Sequence, residues 1–443
     1  MVKVITYGTY DLLHRGHIRL LERAKALGDY LIVGVTADGF DRARGKINVQ
    51  QSLMERIEAV KATGIPDEII VEEYEGQKID DIKRYGVDIF TVGSDWIGHF
   101  DYLNEFCKVV YLERTKGISS SELRTEDRKV RIGLVGESKI VNKFEKESHF
   151  VNGLTVCGVC TQDDSLLSDE VKSLPLMTDK LDILIKECDA IFIVSSPKSH
   201  YDQIKCALEA GVHVLCESPV VINVQQWTEL SILARQNKCV LMESIKTAYS
   251  TAYYRLLLLA KSGVIGKIIS VDSVCTSMRS FEEEIKTGWN SICAWGPTAV
   301  LPIFQLLGTD YIRNDIISHQ IEGSDSYDLF TKVSFVYKEA MASMKVGQGV
   351  KSEGELIISG TKGYIYVPAP WWKTDYFEIR YENPVDNKRY FYQLDGEGIR
   401  YELVTFLKSI NNDNSYSYID DRISCAISKL INDYYSKNNL ILI

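Results

Sequence analysis

Two histidines three residues apart, His14 and His17, close the string TYGTYDLLHRGH. Their spacing across a strand-to-helix turn suits the transfer of a nucleotidyl group. The loop after the first strand contains Gly8 and Thr9, and a helix beginning near Gly16 aims its free backbone N–H groups and positive dipole end at that loop. Phosphates dock at such a place. The two imidazoles then project together at a triphosphate and donate hydrogen bonds to oxygens that gain charge as the α-phosphate is attacked. That chemistry needs positioning and charge neutralisation and no protein nucleophile. Two unrelated histidines at a helix start is the plainer alternative, and the whole string argues against it. Asp11 reads as a cap for the helix start, a role that does not exclude contact with substrate.

The elements that must hold this loop are legible as alternation. Short apolar strands (KVITYG, YLIVGVT, EIIVEE, IFTVG, VVYLE) alternate over the first 124 residues with amphipathic helices (IRLLERAKALG, QSLMERIEAVKATG, KIDDIKRYG). Such a pattern predicts a parallel sheet covered on both faces. The charged stretch from Thr125 to Lys129 is the linker candidate. A second alternating set starts at VRIGLVG and runs to CVLMES. From about Lys246 the texture changes to a helix, TAYYRLLLLAKSG, followed by the strand-like runs ISVDSVCTS, LFTKVSFVY, ELIISG and YIYVP. Three domains are expected, 1–128, 129–245 and 246–443, which agrees with a length of 443 residues, too great for one core.

Composition bounds the function. A formal net charge of -10 opposes broad nucleic-acid binding, which requires a basic footprint. No apolar run reaches the roughly 18 to 20 residues of a membrane span, and no signal-peptide core is visible, so the expectation is a cytoplasmic protein with no membrane span. Ten cysteines lie singly along the chain, and reduced thiols are expected. The pair Cys157 and Cys160 falls in a predicted strand, where residues three apart face opposite sides of the sheet. Packing is therefore the expectation for that pair, because zinc and redox motifs need a turn or helix start.

The opening string, LLERAKALGDYLIVGV, the basic pair Arg44 and Lys46, EGQKIDDI, GSDW and RTKGISSSELR together resemble the glycerol-3-phosphate cytidylyltransferase type of the H-x-G-H nucleotidylyltransferase superfamily, over residues 1 to 124. The resemblance implies a Rossmann-like parallel α/β sheet in which Gly8, Thr9, His14 and His17 meet the phosphates. Lys46 and Arg44 approach the triphosphate and the acceptor phosphate. Arg114 and the turn containing Gly117, Ile118, Ser119 and Ser120 hold CTP from the other side. Asp95 and Trp96 recognise the nucleotide, and Asp11 contributes a carboxylate. Solvated loop charge is the plain alternative for Arg44 and Lys46, as packing is for Trp96. Ser94 stands where the family usually has an acid, and Arg44 where lysine is common. The implied reaction joins CTP to a small polyol phosphate, releasing pyrophosphate, with Mg²⁺ held by phosphate oxygens and no dedicated protein metal cage. GSDW with RTKGIS favours CTP over ATP, and the implied products feed teichoic-acid-like or capsular polymers.

From about residue 130, VRIGLVG, CDAIFIVSSPKSHYDQIKCALEAGVHVLCESP and RLLLLAKSGVIGKIISVD resemble the Gfo/Idh/MocA oxidoreductases. That implies a Rossmann domain followed by an open-faced α/β sheet domain, NAD(P) as cofactor, and dimerisation through the sheet, hence a homodimer. The chemistry-bearing positions depart from the family. Gly133 and Gly136 are followed by Glu137 and by Ser138 where the third glycine is expected, and Asp163 and Asp164 only loosely match a ribose-binding acid. The lysine of E-K-P is Ser218, and the family's acid and His or Tyr fall on Ala294 and Thr298. Losing such groups costs about 10² to 10⁴ in rate apiece. Lys246 and Lys373 are candidates to face the old substrate cleft, and His200 sits where the family often has a histidine near the cofactor. Three readings follow: a cytidylyltransferase with a degenerate oxidoreductase-like module for dimerisation or regulation, a bifunctional reductase and cytidylyltransferase, and a non-catalytic scaffold.

Overall fold

A computed structural model describes the chain apart from residues 38–48, 50, 74, 75, 114–129, 152, 279–287, 322–326, 393 and 412–416. The expected linker, Thr125 to Lys129, lies outside the described residues. The chain divides into two compact units, 1–128 and 129–443.

The first unit is built on five parallel strands, β1 (Lys3–Gly8), β2 (Tyr30–Thr36), β3 (Glu68–Glu72), β4 (Ile89–Gly93) and β5 (Lys108–Leu112), in the order β3-β2-β1-β4-β5. Successive side chains of a strand point to opposite faces. Val4, Leu31, Val33 and Val35 accordingly pack with Leu21 and Ala24 of α1 (Arg15–Lys25) and Val60 of α2 (Leu53–Ala62). Ile5, Tyr7, Ile32 and Phe90 pack with Ile82 of α3 (Gln77–Tyr85). Both faces are thus covered, and the chain changes direction across the sheet between β1 and β4. Ligands of open parallel sheets bind at the carboxyl ends of strands flanking such a point. The opening string follows β1 and GSDW follows β4.

The second unit begins with six parallel strands: β6 (Val130–Val135), β7 (Leu154–Cys160), β8 (Leu176–Thr178), β9 (Ala190–Ile193), β10 (His213–Glu217) and β11 (Leu241–Ser244). Their order, β11-β10-β9-β6-β7-β8, is that of dinucleotide-binding domains. A nine-stranded mixed sheet follows. At its centre β12 (Ile268–Ser277) pairs in parallel with β13 (Met341–Gln348). A 17-residue helix, Ser291–Leu307, packs against both strands and buries eleven of its residues. Asp328 holds its first turn, accepting from the Ser291 N–H at 2.9 Å.

One expectation for β7 is corrected. Its register against β6 passes from Ile132 opposite Val156 to Gly133 opposite Gly158, so Cys157 is skipped. The bulge turns Cys157 toward the core that holds Cys160, and the two pack on one cluster instead of opposite faces. All ten cysteines are free.

In β2, a Cβ at Gly34 would overlap the ring of Tyr7, whose hydroxyl donates to Asp81 at 2.8 Å. Gly34→Ala is expected to lower the stability of the first unit by about 1–3 kcal/mol through overpacking. Urea denaturation followed by far-ultraviolet circular dichroism checks this, with the transition of the second unit unchanged.

Candidate functional site

The loop between β1 and α1 runs through two non-glycine residues in the left-handed region, Tyr10 (φ 53°) and Leu12 (φ 48°). Tyr10 is buried and sets the edge of its ring against His17, with centroids 5.5 Å apart. His14, not Asp11, caps α1: its Nδ1 accepts the Gly16 N–H at 3.0 Å. The His14 and His17 rings stack with centroids 3.9 Å apart and planes 21° from parallel. Both imidazoles therefore sit as one block at the positive end of the helix. Thr9 and Asp11 are buried beside them. Asp11 accepts from the Gln51 N–H at 3.0 Å, and the Gln51 side chain accepts from the Leu12 N–H at 2.8 Å.

A residue that sequence reasoning missed holds this loop in place. Arg56 has no exposed surface, and its Nη1 donates to the carbonyl oxygens of Thr9 at 2.7 Å and Thr36 at 2.9 Å. Its Nε donates to the Gln51 carbonyl at 3.1 Å. The guanidinium thus joins the loop after β1, the end of β2 and the entry to α2. One signal was available: Arg56 lies four residues before the buried Val60, on the face of α2 that packs against the sheet.

Trp96 closes a short turn, Ser94–Trp96, directly after β4, and its ring is 36% exposed and edged by His99 and Phe100. The backbone of Asp95 belongs to the same turn. The structure thus brings Gly8, Thr9, Asp11, His14 and His17 onto one strand-to-helix turn and puts Trp96 at the end of the adjacent strand. Arg44, Lys46, Arg114, Gly117, Ile118, Ser119 and Ser120 lie outside the described residues. Among the described residues no three acidic, His or Cys side chains gather as a metal site.

In the second unit the retained glycines serve packing. A Cβ on Gly133 would press on Leu184 and Cys188, and one on Gly136 would meet the backbone of Val194 and Ser195. At the position where the third glycine is expected, the Ser138 hydroxyl accepts from the Ile140 N–H at 3.3 Å. The Glu137 carboxylate reaches across the ends of β6 and β7 to the Gln162 N–H, also at 3.3 Å. Asp163 is spent on the Ser165 N–H at 2.9 Å, and Asp164 lies 3.7 Å from Lys172. The Glu137 carboxylate thus lies beside the glycine turn, where the phosphates of a dinucleotide approach in this fold.

Ser218 is buried and donates to Glu243, whose carboxyl burial raises to about 7 against the hydrogen bonds from Ser218 and Ser424. Ala294 and Thr298 are half-buried one turn apart on helix 291–307. His200 is fully buried between the carbonyls of Pro219 at 2.9 Å and Ser195 at 3.0 Å. Burial pushes its imidazole down to about 4 despite those two acceptors, and the neutral ring can donate to one of the two carbonyls. Lys246 and Lys373, the candidates for the cleft, both bind Glu397, at 2.5 and 2.8 Å. Burial alone would raise the Glu397 carboxyl, but the lysines hold it down, at about 2.

A stacked histidine pair follows the central strand at the switch point of a five-stranded parallel sheet, and the relatives of this unit make it a nucleotidyltransferase. Residues 5–126 match the cytidylyltransferase-like family, and residues 130–245 match the oxidoreductase family with an NAD-binding Rossmann fold, Gfo/Idh/MocA. The chain therefore joins a cytidylyltransferase-like domain to a Gfo/Idh/MocA domain. It is 47% identical over 126 residues to the glycerol-3-phosphate cytidylyltransferase of Bacillus spizizenii, a match covering 28% of this chain and 97% of that protein. The enzyme of the same name from Staphylococcus aureus is 45% identical over 130 residues, 28% of this chain and 95% of the relative. The crystal structure of KijD10, a 3-ketoreductase from Actinomadura kijaniata, with NADP and TDP-benzene, superposes with a TM-score of 0.64 at 15% identity. It covers 71% of this chain and all of that one, a likeness of fold.

Arg56→Ala would leave the Thr9, Thr36 and Gln51 carbonyls without this donor. The expected cost is about 2–4 kcal/mol in the first unit, with Arg56→Lys recovering only part because one ammonium cannot span three sites. Urea titration of the three proteins measures it.

Proposed function

We propose that the first unit transfers a cytidylyl group from CTP to glycerol 3-phosphate or a similar short polyol phosphate. The observation that carries this reading is the stacked His14 and His17 pair at the start of α1, above a loop fixed by Arg56. Its likeness to two glycerol-3-phosphate cytidylyltransferases over nearly their full length supports the choice of nucleotide and acceptor. An oxygen of the acceptor phosphate attacks the α-phosphorus of CTP in line. The bond to the bridging oxygen breaks, pyrophosphate leaves, and a CDP-polyol forms. The two imidazoles donate to oxygens that become more negative along that path, and the N–H groups of α1 add fixed partial positive charge. Mg²⁺, when bound, would supply further charge neutralisation. Lys46 and Arg44 are assigned to the triphosphate and acceptor phosphate, Arg114 and the turn from Gly117 to Ser120 to CTP from the other side, and Asp95 and Trp96 to recognition of the nucleotide. The products suit synthesis of a cell-surface polymer from the cytoplasmic side.

The second unit, on this reading, has kept an oxidoreductase fold for dimerisation or regulation and has lost its turnover. Ser218, Ala294 and Thr298 provide no acid or base near pH 7, and Glu137 opposes a diphosphate. The family match favours the second reading, a bifunctional enzyme that first reduces a precursor with NAD(P)H.

Two measurements test these statements. CTP, Mg²⁺ and a panel of polyol phosphates should give pyrophosphate with at least one acceptor, and His14→Ala or His17→Ala should lower kcat by about 10²–10³ with the fold intact. Silence across the whole panel would sink the transferase reading. Titration with NADH and NADPH to millimolar concentration, read by energy transfer from tryptophan, should show no saturable binding while CTP still binds. Micromolar saturation would restore the bifunctional alternative.

A further inference from the structure

Three lysines from distant parts of the second unit converge on one carboxylate. Lys143 comes from the helix Ile140–Ser148, Lys246 from just beyond β11, and Lys373 from the turn Trp371–Lys373. Their ammonium groups lie 3.0, 2.5 and 2.8 Å from oxygens of Glu397. The neighbouring Arg400 does not alter the charge, being paired with Glu147 at 3.1 Å. Glu402, within electrostatic reach of Lys246, is buried, and its carboxyl is raised well above the ordinary range by burial first and by Glu217 next. Among the described residues the direct ion partner of all three ammonium groups is Glu397.

The turn that delivers the carboxylate is itself unusual. Glu397 lies in the left-handed region (φ 53°) between Gly396 (φ 57°) and Gly398 (φ 92°). A residue with a Cβ is disfavoured there by about 1–2 kcal/mol. Three ammonium groups reaching one carboxylate from three directions match the charge and the several acceptor oxygens of a phosphate group better than they match a carboxylate. The Glu397 side chain is 28% exposed, so rotation about its own bonds can free the ammonium groups without moving the turn.

We propose that Lys143, Lys246 and Lys373 form a binding site for a small phosphate-bearing molecule, a monoester or a diphosphate, and that Glu397 is a built-in competitor occupying it. The site is independent of the reaction assigned to the first unit, and no bond is made or broken there. It differs from the glycine-loop position, where Glu137 opposes phosphate.

The test is calorimetric titration of the full chain with pyrophosphate and, separately, with glycerol 3-phosphate. The wild-type protein and Glu397→Gln are compared, so that binding by the first unit is common to both. Removing the competing charge should tighten one phosphate-binding event at least tenfold, and adding Lys143→Gln to Glu397→Gln should reverse most of that gain. Lys143 is half exposed, so the second change is compatible with folding. A gain with pyrophosphate alone would assign the site to diphosphates, and one with glycerol 3-phosphate as well to phosphate esters generally. If Glu397→Gln binds both probes as the wild type does and only melts earlier, the cluster is a structural fastening and the proposal fails. A gain that survives Lys143→Gln would also overturn it.

Discussion

The first unit depends on a positive charge with no access to solvent. A guanidinium buried in a protein must replace its water with acceptors, and Arg56 does so with backbone carbonyls from three segments that meet only in the folded sheet. Because its planar fork fixes the directions of its donors, it also fixes where the loop after β1 lies relative to β2. The left-handed turns at Tyr10 and Leu12, unfavourable alone, persist inside that frame. The stacked histidines rest on a loop held in this manner, and in group-transfer sites generally a displacement of about 1 Å is expensive in rate.

In the second unit several polar side chains near the strand ends are engaged by neighbours. Ser218 donates to Glu243, the His200 ring nitrogens face two carbonyls, and Asp163 closes a local turn. Polar residues in such settings support the fold by avoiding unmet hydrogen bonds, which is enough to retain them. The sheet order and the covering helices survive because they rest on packing around Val214, Ile191 and Leu184, none of which takes part in chemistry.

Much of this was legible in the sequence because it is local. Runs such as YLIVGVT and the amphipathic KIDDIKRYG announce their elements through periodicity, and the histidine turn is a contiguous string. What escaped was nonlocal. Arg56 looks like any helical charge until its carbonyl partners, Thr9 among them 47 residues away, are brought to it. Glu397 finds Lys143 across 254 residues, and no spacing rule reaches so far. The bulge at Cys157 arises from the pairing of two strands, so alternation within one strand put that side chain on the wrong face. The helix 291–307 contains Pro297 and Pro302, which local propensity would count against it, and tertiary burial overrides that preference.

The cap on α1 has a consequence for the proton inventory of the site. An Nδ1 that accepts the Gly16 N–H carries no hydrogen, so the neutral His14 ring must hold its single hydrogen at Nε2. The helix start therefore selects the tautomer. His17 stacks on that ring with centroids 3.9 Å apart. On the proposed reading, the hydrogen that His14 can offer a leaving pyrophosphate is therefore the one on Nε2, set by the fold before any substrate arrives.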